Sequence, residues 1–267
     1  MTNSQEKQPP QERNPVSKTF RCLEYILASP DVELGVRELA AEMNISPSSA
    51  HRILNGMVDE GYVTRNEATQ RYGIGVGFMR LAYLSADRLP IRHIARFAMQ
   101  KLVKERNETA MLGLYDATKR KMIFVAALES AHPLRYVVEL NKLSPIHTGA
   151  MGLAVLAFLP EAERKAILSQ KLEKLTNETI TEAKALAPVI EQIRQQGHAM
   201  TSNQRVIGAV GIAAPFFGAA GNVIGGIGVI LPKQRYEETD ASDLTESVKS
   251  AATAITQSIG GSYRAVD

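Results

Sequence analysis

The stretch "VRELAAEMNISPSSAHRILNGMVDEGYV", residues 36 to 63, constrains the fold more than any other part of the chain. Val36, Leu39, Ala40 and Met43 recur at i, i+3, i+4 and i+7, the spacing of a short amphipathic helix. "NIS" then makes a tight turn, and Ala50, Ile53, Leu54, Met57 and Val58 give a second apolar stripe, with Ser48, Ser49, His51, Arg52, Asn55 and Asp59 on the opposite face. Upstream, Val16, Phe20, Leu23 and Leu27 mark a helix over 16–28 that "SPD" at 29–31 ends. Downstream, "YVTRNEATQRYGI" at 62–74 alternates around a polar turn at Asn66 to Gln70, as a hairpin does. Helix, helix-turn-helix and hairpin, in that order, predict a winged helix-turn-helix.

Beyond it, residues 78–107 read as helical from "FMRLAYLSA" to "IRHIARFAMQKLVKER", interrupted at Pro90. Their apolar residues, Met79, Leu81, Ala82, Tyr83, Ile94, Ala95, Ala98 and Leu102, exceed what one linker helix needs, so this stretch is expected to pair two copies. "TAMLGLYD", "KMIFVAALE" and "LRYVVEL" then read as strands, "MGLAVLAFLP" and "EAERKAILSQ" as helices. Leu186, Val189, Ile190 and Ile193 mark a helix over 181–196 with Gly197 at its end. "AVGIAAPFF" and "VIGGIGVIL" are strands around the turn "GAAGN", and 241–260 is a last helix. The expected class is α+β: an arm at 1–14, a winged helix-turn-helix at 15–77, a helical linker at 78–107 and an α/β domain with a mostly antiparallel sheet at 108–267.

Composition narrows the class without naming a function. With 45% hydrophobic and 22% charged residues this is an ordinary globular mixture. The net charge of +3 is unevenly spread: residues 1–90 carry ten Lys/Arg against eleven Asp/Glu, so bulk charge neither makes nor breaks a case for nucleic acid. The polar, Pro-rich start has no apolar segment of a signal peptide, and "TGAMGLAVLAFLP" is too short to span a bilayer. Cys22 has no possible disulfide partner within the chain and sits among apolar helix positions. A cytoplasmic protein without a membrane partner is the expectation.

The helix at 48–60 carries the clearest chemistry. Ser48, Ser49, His51, Arg52 and Asn55 combine hydroxyls, an imidazole, a guanidinium and an amide, which bind phosphate oxygens and base edges. Any amphipathic helix has a wet face, but the second helix of a helix-turn-helix enters the major groove. Arg71 in the hairpin would reach phosphate or minor groove, or serve solubility alone. Other signals are weaker. "GIGVG" at 73–77 follows a hairpin rather than a buried parallel strand, which argues against a dinucleotide. "GAAGNVIGGIG" reads as a hairpin turn and close strand packing. His51, His93, His132, His147 and His198 lack metal-site spacing, and no nucleophile, base and orienter stand in order, so no metal or cofactor is expected.

"ELAAEMNISPSSAHRILNGMVDEGYVTRNEATQRYGIGVGFMRLA" resembles the N-terminal domain of IclR-family transcription regulators. The likeness continues in "PIHTGAMGLAVLAFLP", "LTNETITEAKALAPVIEQIRQQGHAM" and "GAVGIAAPFFGAAGNVIGGIGVILP", covering nearly everything from residue 17 onward. It implies a GAF-like effector-binding sheet and a dimer or dimer of dimers; pairing through 78–107 in turn predicts a double-stranded DNA operator that is palindromic or nearly so. It also places His147 and Thr148 at a pocket rim, although helix capping accounts for them equally well. The chain departs from the family pattern at four places. Thr201, Ser202, Asn203 and Gln204 replace the usual acids, Gly211 replaces Cys, Gly228 and Ile230 replace serines, and Leu153 replaces Lys.

These departures imply a pocket poorer in polar anchors. What survives is the backbone at Thr148, Gly149, Ala150 and Met151, the hydroxyls of Thr148, Thr201 and Ser202, and the amides of Asn203 and Gln204. Met111, Leu128, Met151 and Ile212 supply apolar walls. The expected effector is therefore a larger, mostly apolar or aromatic molecule with one polar end, filling volume freed at Gly211 and Gly228. The bland alternative is that the glycines merely let strands pack and the cavity is closed. Rival functions from other classes are an α/β enzyme with an appended helical module and a dimerisation protein with a vestigial pocket.

Overall fold

The computed structural model describes residues 14–87, 90–237 and 239–262. The arm expected at 1–14 thus lies outside the described residues except for Asn14, whose side chain accepts from the Val16 N–H and caps the first helix. Two compact units divide at Leu89 and Pro90.

The N-terminal unit holds α1 (Pro15–Ala28), α2 (Val36–Met43), α3 (Pro47–Asp59), the hairpin β1 (Val63–Arg65) and β2 (Tyr72–Ile74), and α4 (Val76–Asp87). Asn44 ends α2 in the left-handed region at φ 52, and Ser46 starts α3 by accepting from the Ser49 N–H. Pro47 fits the first turn of α3, where no backbone N–H is needed. Cys22, Leu39, Ala40, Met43, Ala50, Leu54, Met57 and Tyr72 form the core. Burial pushes the Cys22 thiol up to about 12, so it packs as a small apolar group. Gly75 and Gly77 lie where an added Cβ would come within 2.4 and 2.7 Å of the Gly61 carbonyl oxygen, so "GIGVG" serves close packing of the hairpin exit.

The second unit is a six-stranded antiparallel sheet in the order β5-β4-β3-β8-β7-β6. Its elements in chain order are α5 (Pro90–Arg106), β3 (Thr109–Asp116), β4 (Lys121–Leu128), β5 (Leu143–Pro145), α6 (Gly149–Leu156), α7 (Glu161–Leu168), α8 (Ala183–Gln196), β6 (Ala199–Ser202), β7 (Ala209–Phe217), β8 (Val223–Pro232), α9 (Lys233–Glu237) and α10 (Ala241–Ser258). Alternate residues of β7 and β8 face two separate cores: one contains α6 and α8, the other α5 and α10.

One expectation fails here and another is narrowed. The strand expected over 134–140 pairs with nothing, and β5, a short edge strand farther on, takes its place beside β4. Tyr136 and Val138 are half-buried at a cavity, Val137 lines it while largely exposed, and Leu134 is exposed. The pairing face is also halved. Ala95 and Leu102 are fully buried in the sheet unit's own core, with Ile94 and Ala98 packed beside them. Met79, Leu81 and Tyr83 of α4 remain exposed, together with Val76 and Leu84.

Candidate DNA-reading face and effector cavity

On α3, Ser48, His51 and Arg52 are exposed, while Ala50, Leu54 and Met57 hold the helix to its core. No hydrogen bond or ion pair engages Arg52 among the described residues. The remaining predicted contacts are less available. Ser49 is half-buried, and its hydroxyl and that of Ser48 lie 2.9 and 3.1 Å from the Ser46 hydroxyl. Ser46 is the residue that caps the helix. Asn55 is half-buried as well: the hydroxyl of the buried Tyr72 donates to its Oδ1 at 3.3 Å, and its Nδ2 stands 3.3 Å from Nδ1 of His51. Arg71 does not reach outward. Its guanidinium donates to both carboxylate oxygens of Glu38, at 2.9 and 3.1 Å, and to the Glu33 carbonyl oxygen at 3.0 Å, tying the hairpin to α2. The Gly35 N–H, followed by Arg71, holds the Glu38 carboxyl below its usual value. Glu33 receives Asn66 Nδ2 and the Thr69 hydroxyl, which lower its carboxyl in turn. The local fold draws these acids to the hairpin, and the expected DNA-contacting arginine is consumed in fixing it.

The second candidate site is a cavity of about 610 Å³ in the sheet unit. Met111 of β3, Thr148, Gly149, Ala150 and Met151 at the start of α6, Thr201 and Gln204, Gly211 of β7 and Ile230 of β8 all line it, as the sequence suggested. The cavity is open, so the closed-sheet alternative does not hold at Gly211. It does hold at Gly228, where a Cβ would come within 2.3 Å of the Ile212 carbonyl oxygen. Five other residues lie outside the cavity lining. Leu128 packs with the core on the sheet's opposite face. Ile212 is fully buried in that same core, because neighbouring residues of a strand point to opposite sides. Ser202 is exposed at the edge strand outside the cavity. Asn203 sits in the turn at φ 59, its Oδ1 accepting from the Gly208 N–H. Leu153 is wholly buried in the core beneath α6.

The largest correction concerns charge, because the cavity is not stripped of side-chain donors. Arg205, on the turn between β6 and β7, places its guanidinium carbon 4.8 Å from the Phe124 ring centroid and donates to the buried Ser144 hydroxyl. Desolvation holds its pKa below the usual arginine value, while the field of Glu139 acts the other way. Lys121, Lys142 and Tyr136 also face the space. Gly149 begins α6 at φ +69, a conformation that favours glycine, and its open Cβ position lies 3.3 Å from Cβ of Arg205. No sequence pattern marked Arg205: it stands in a polar turn, and Phe124 and Ser144 come to it from β4 and β5. His147 is buried below the rim, its Nε2 2.9 Å from the Glu173 carbonyl oxygen, which can only accept. Desolvation lowers its pKa. Thr148 donates to the Pro145 carbonyl oxygen at 2.9 Å and makes no side-chain cap, so of the two roles open to it only the rim position is observed. Among the described residues no cluster of His, Cys, Asp and Glu could hold a metal, and no helix is long and apolar enough to cross a membrane.

Residues 83–257 match the family described as "Bacterial transcriptional regulator IclR C-terminal", and residues 15–71 match the MarR family. The regulator KipR of Bacillus subtilis is 30% identical over 246 residues, covering 92% of this chain and 96% of the relative. A putative IclR transcriptional regulator from Silicibacter sp. TM1040 superposes with a TM-score of 0.83 at 24% identity, over 94% of this chain and 98% of that one. An IclR homologue from Microbacterium hydrocarbonoxydans, solved with 4-hydroxybenzoate, has a TM-score of 0.78 at 21% identity, over 92% and 99% of the two chains. At these identities the two solved structures speak for the fold.

Proposed function

Because the chain belongs to the IclR family of bacterial transcriptional regulators, we propose that α3 reads an operator through His51 and Arg52, with Ser48 on phosphate, and that a small organic effector in the sheet cavity controls this binding. The observation that carries the reading is the division of α3 into a face locked to the core by Ala50, Leu54 and Met57 and a face whose Arg52 is exposed and uncommitted among the described residues. A docked helix with unengaged donors suits insertion into the major groove. The enzyme reading gains nothing from the matches, since the relatives are regulators by name.

The finer features rest on the same footing. Val76, Met79, Leu81, Tyr83 and Leu84 leave an apolar side of α4 in water, which supports pairing of two copies, and a symmetric pair favours a palindromic or nearly palindromic operator. A dimer of dimers is the next assembly this symmetry permits. Cavity volume and the walls of Met111, Met151, Phe124 and Ile230 suit an aromatic or largely apolar effector, in keeping with the aromatic ligand of the Microbacterium homologue. A cytoplasmic setting, where the DNA is, follows from that function. The reading is tested by capturing genomic fragments on the purified chain and sequencing them. Enrichment of a shared, two-fold motif supports it. Retention of no sequence above background, or a monomer by light scattering at micromolar concentration, refutes the respective part.

A further inference from the structure

Arg205 is half-buried, and it makes no ion pair among the described residues. Among the described residues no carboxylate lies within ion-pair distance of it; Glu139, whose field it feels, is paired with Lys142 at 3.0 Å. One N–H goes to Ser144, and Phe124 covers one face of the guanidinium. The side chain lines the cavity. Removing such a cation from water without an anion costs free energy that ring stacking and a hydroxyl recover only in part.

A second electropositive feature meets the same space. The first turn of α6, Gly149 to Met151, lines the cavity, and its flanking Thr148 spends its hydroxyl on Pro145 rather than on the helix N–H groups. Free N–H groups at a helix start favour negative charge. Close by, Oε1 of Gln204 is a buried acceptor with no partner. Met111, Met151 and Phe124 supply apolar wall, while Lys121, Lys142, Glu139 and Glu173 also line the space.

We infer that Arg205 is the specificity determinant of this cavity, selecting an organic monocarboxylate whose carboxylate is held by Arg205 and the first turn of α6 while an apolar or aromatic body lies along Phe124, Met111 and Met151. A hydroxyl on that body would donate to Gln204. The inference rests on the effector reading and names the chemistry that the reading leaves open.

The test is calorimetric titration of the full chain with benzoate, 4-hydroxybenzoate, phenylacetate and hexanoate, each beside its neutral amide. The expected result is at least one acid bound about 10-fold or more tightly than its amide, as a charge-assisted contact provides. Arg205→Gln should erase that difference, and Arg205→Lys should keep part of it. Because the acid–amide comparison is made on the unaltered chain, it stands even if a variant folds poorly. Equal binding of acid and amide, no binding by any of the four acids, or undiminished acid affinity in a folded Arg205→Gln variant would overturn it. Genomic capture run beside the titration separates the failures: DNA retained without acid binding sinks this inference alone, and acid bound without DNA sinks the regulator reading alone.

Discussion

The hairpin beside α3 and the sheet cavity each hold an arginine: Arg71, expected at a site, is spent on structure, and Arg205, which no sequence pattern marked, lines the cavity. Arg71, in a polar hairpin beside the reading helix, is spent on Glu38 and the Glu33 carbonyl. Arg205, in an equally polar turn, meets a ring and a hydroxyl and keeps donors for the cavity. The residue type is the same, and what differs is which groups the fold brings alongside. A guanidinium beside an acid is a clamp, whereas one held in an apolar wall without an acid is a site.

The largest effect expected from breaking this contrast lies in the glycines around the cavity. Gly228→Ala places a Cβ 2.3 Å from the Ile212 carbonyl oxygen and 2.8 Å from Cβ of Ala213. Backbone cannot yield as a side-chain tip does, so a loss of about 3 kcal/mol is expected. Gly211→Ala meets Cβ of Ala150 at 3.4 Å, an ordinary contact, and should cost less than about 1 kcal/mol. Urea unfolding midpoints decide it, and equal costs would mean that both glycines serve packing and neither serves the cavity.

Arg52→Ala should come next. It removes an exposed side chain from α3, so folding is unaffected, and operator binding falls by about 1–3 kcal/mol if Arg52 reads a base. Unchanged affinity at matched salt would remove Arg52 from the reading face. Arg71→Ala should do the reverse, lowering the melting temperature as the hairpin loses Glu38, while changing affinity less than Arg52→Ala does. An affinity loss equal to that of Arg52→Ala, with an unchanged melting temperature, would restore Arg71 to the DNA and end the contrast of the two arginines.

The α3 unit was legible because its signals are local. Apolar spacing fixes which side of a helix is buried, and Ser46-Pro47 fixes where it starts. Even there, the half-burial of Asn55 depended on Tyr72, 17 residues away. In the sheet unit the strongly apolar strands could be read, but expecting both Gly211 and Ile212 at the cavity ran against the alternation of a strand, and only pairing with β8 and packing against helices decide which alternate set faces the cavity. The same gap explains the pairing face: spacing shows that Ala95 and Leu102 are buried, without showing that their partner is this chain's own sheet. Arg205 was invisible because its meaning comes from Phe124 and Ser144, 81 and 61 residues distant in sequence.

A pair of histidines gives the comparison its smallest and most specific test. His51 is exposed beside Asn55 on α3, and His147 is buried below the cavity rim with Nε2–H on the Glu173 carbonyl. Desolvation lowers the folded-state pKa of His147 beneath the ordinary 6.5, the larger of opposing influences. The unfolded chain therefore takes up a proton at this site at a pH where the folded chain does not. Stability from His147 is complete above about 6.5 and falls as pH drops from there through the folded pKa, with a slope of no more than one proton. His147→Asn should reduce that slope between pH 7 and 5 in the sheet unit, whereas His51→Asn should weaken operator binding. If His147→Asn leaves the stability profile as steep as before, burial of His147 is not what couples this fold to acid, and the division between a waiting surface and a committed interior fails at its histidines.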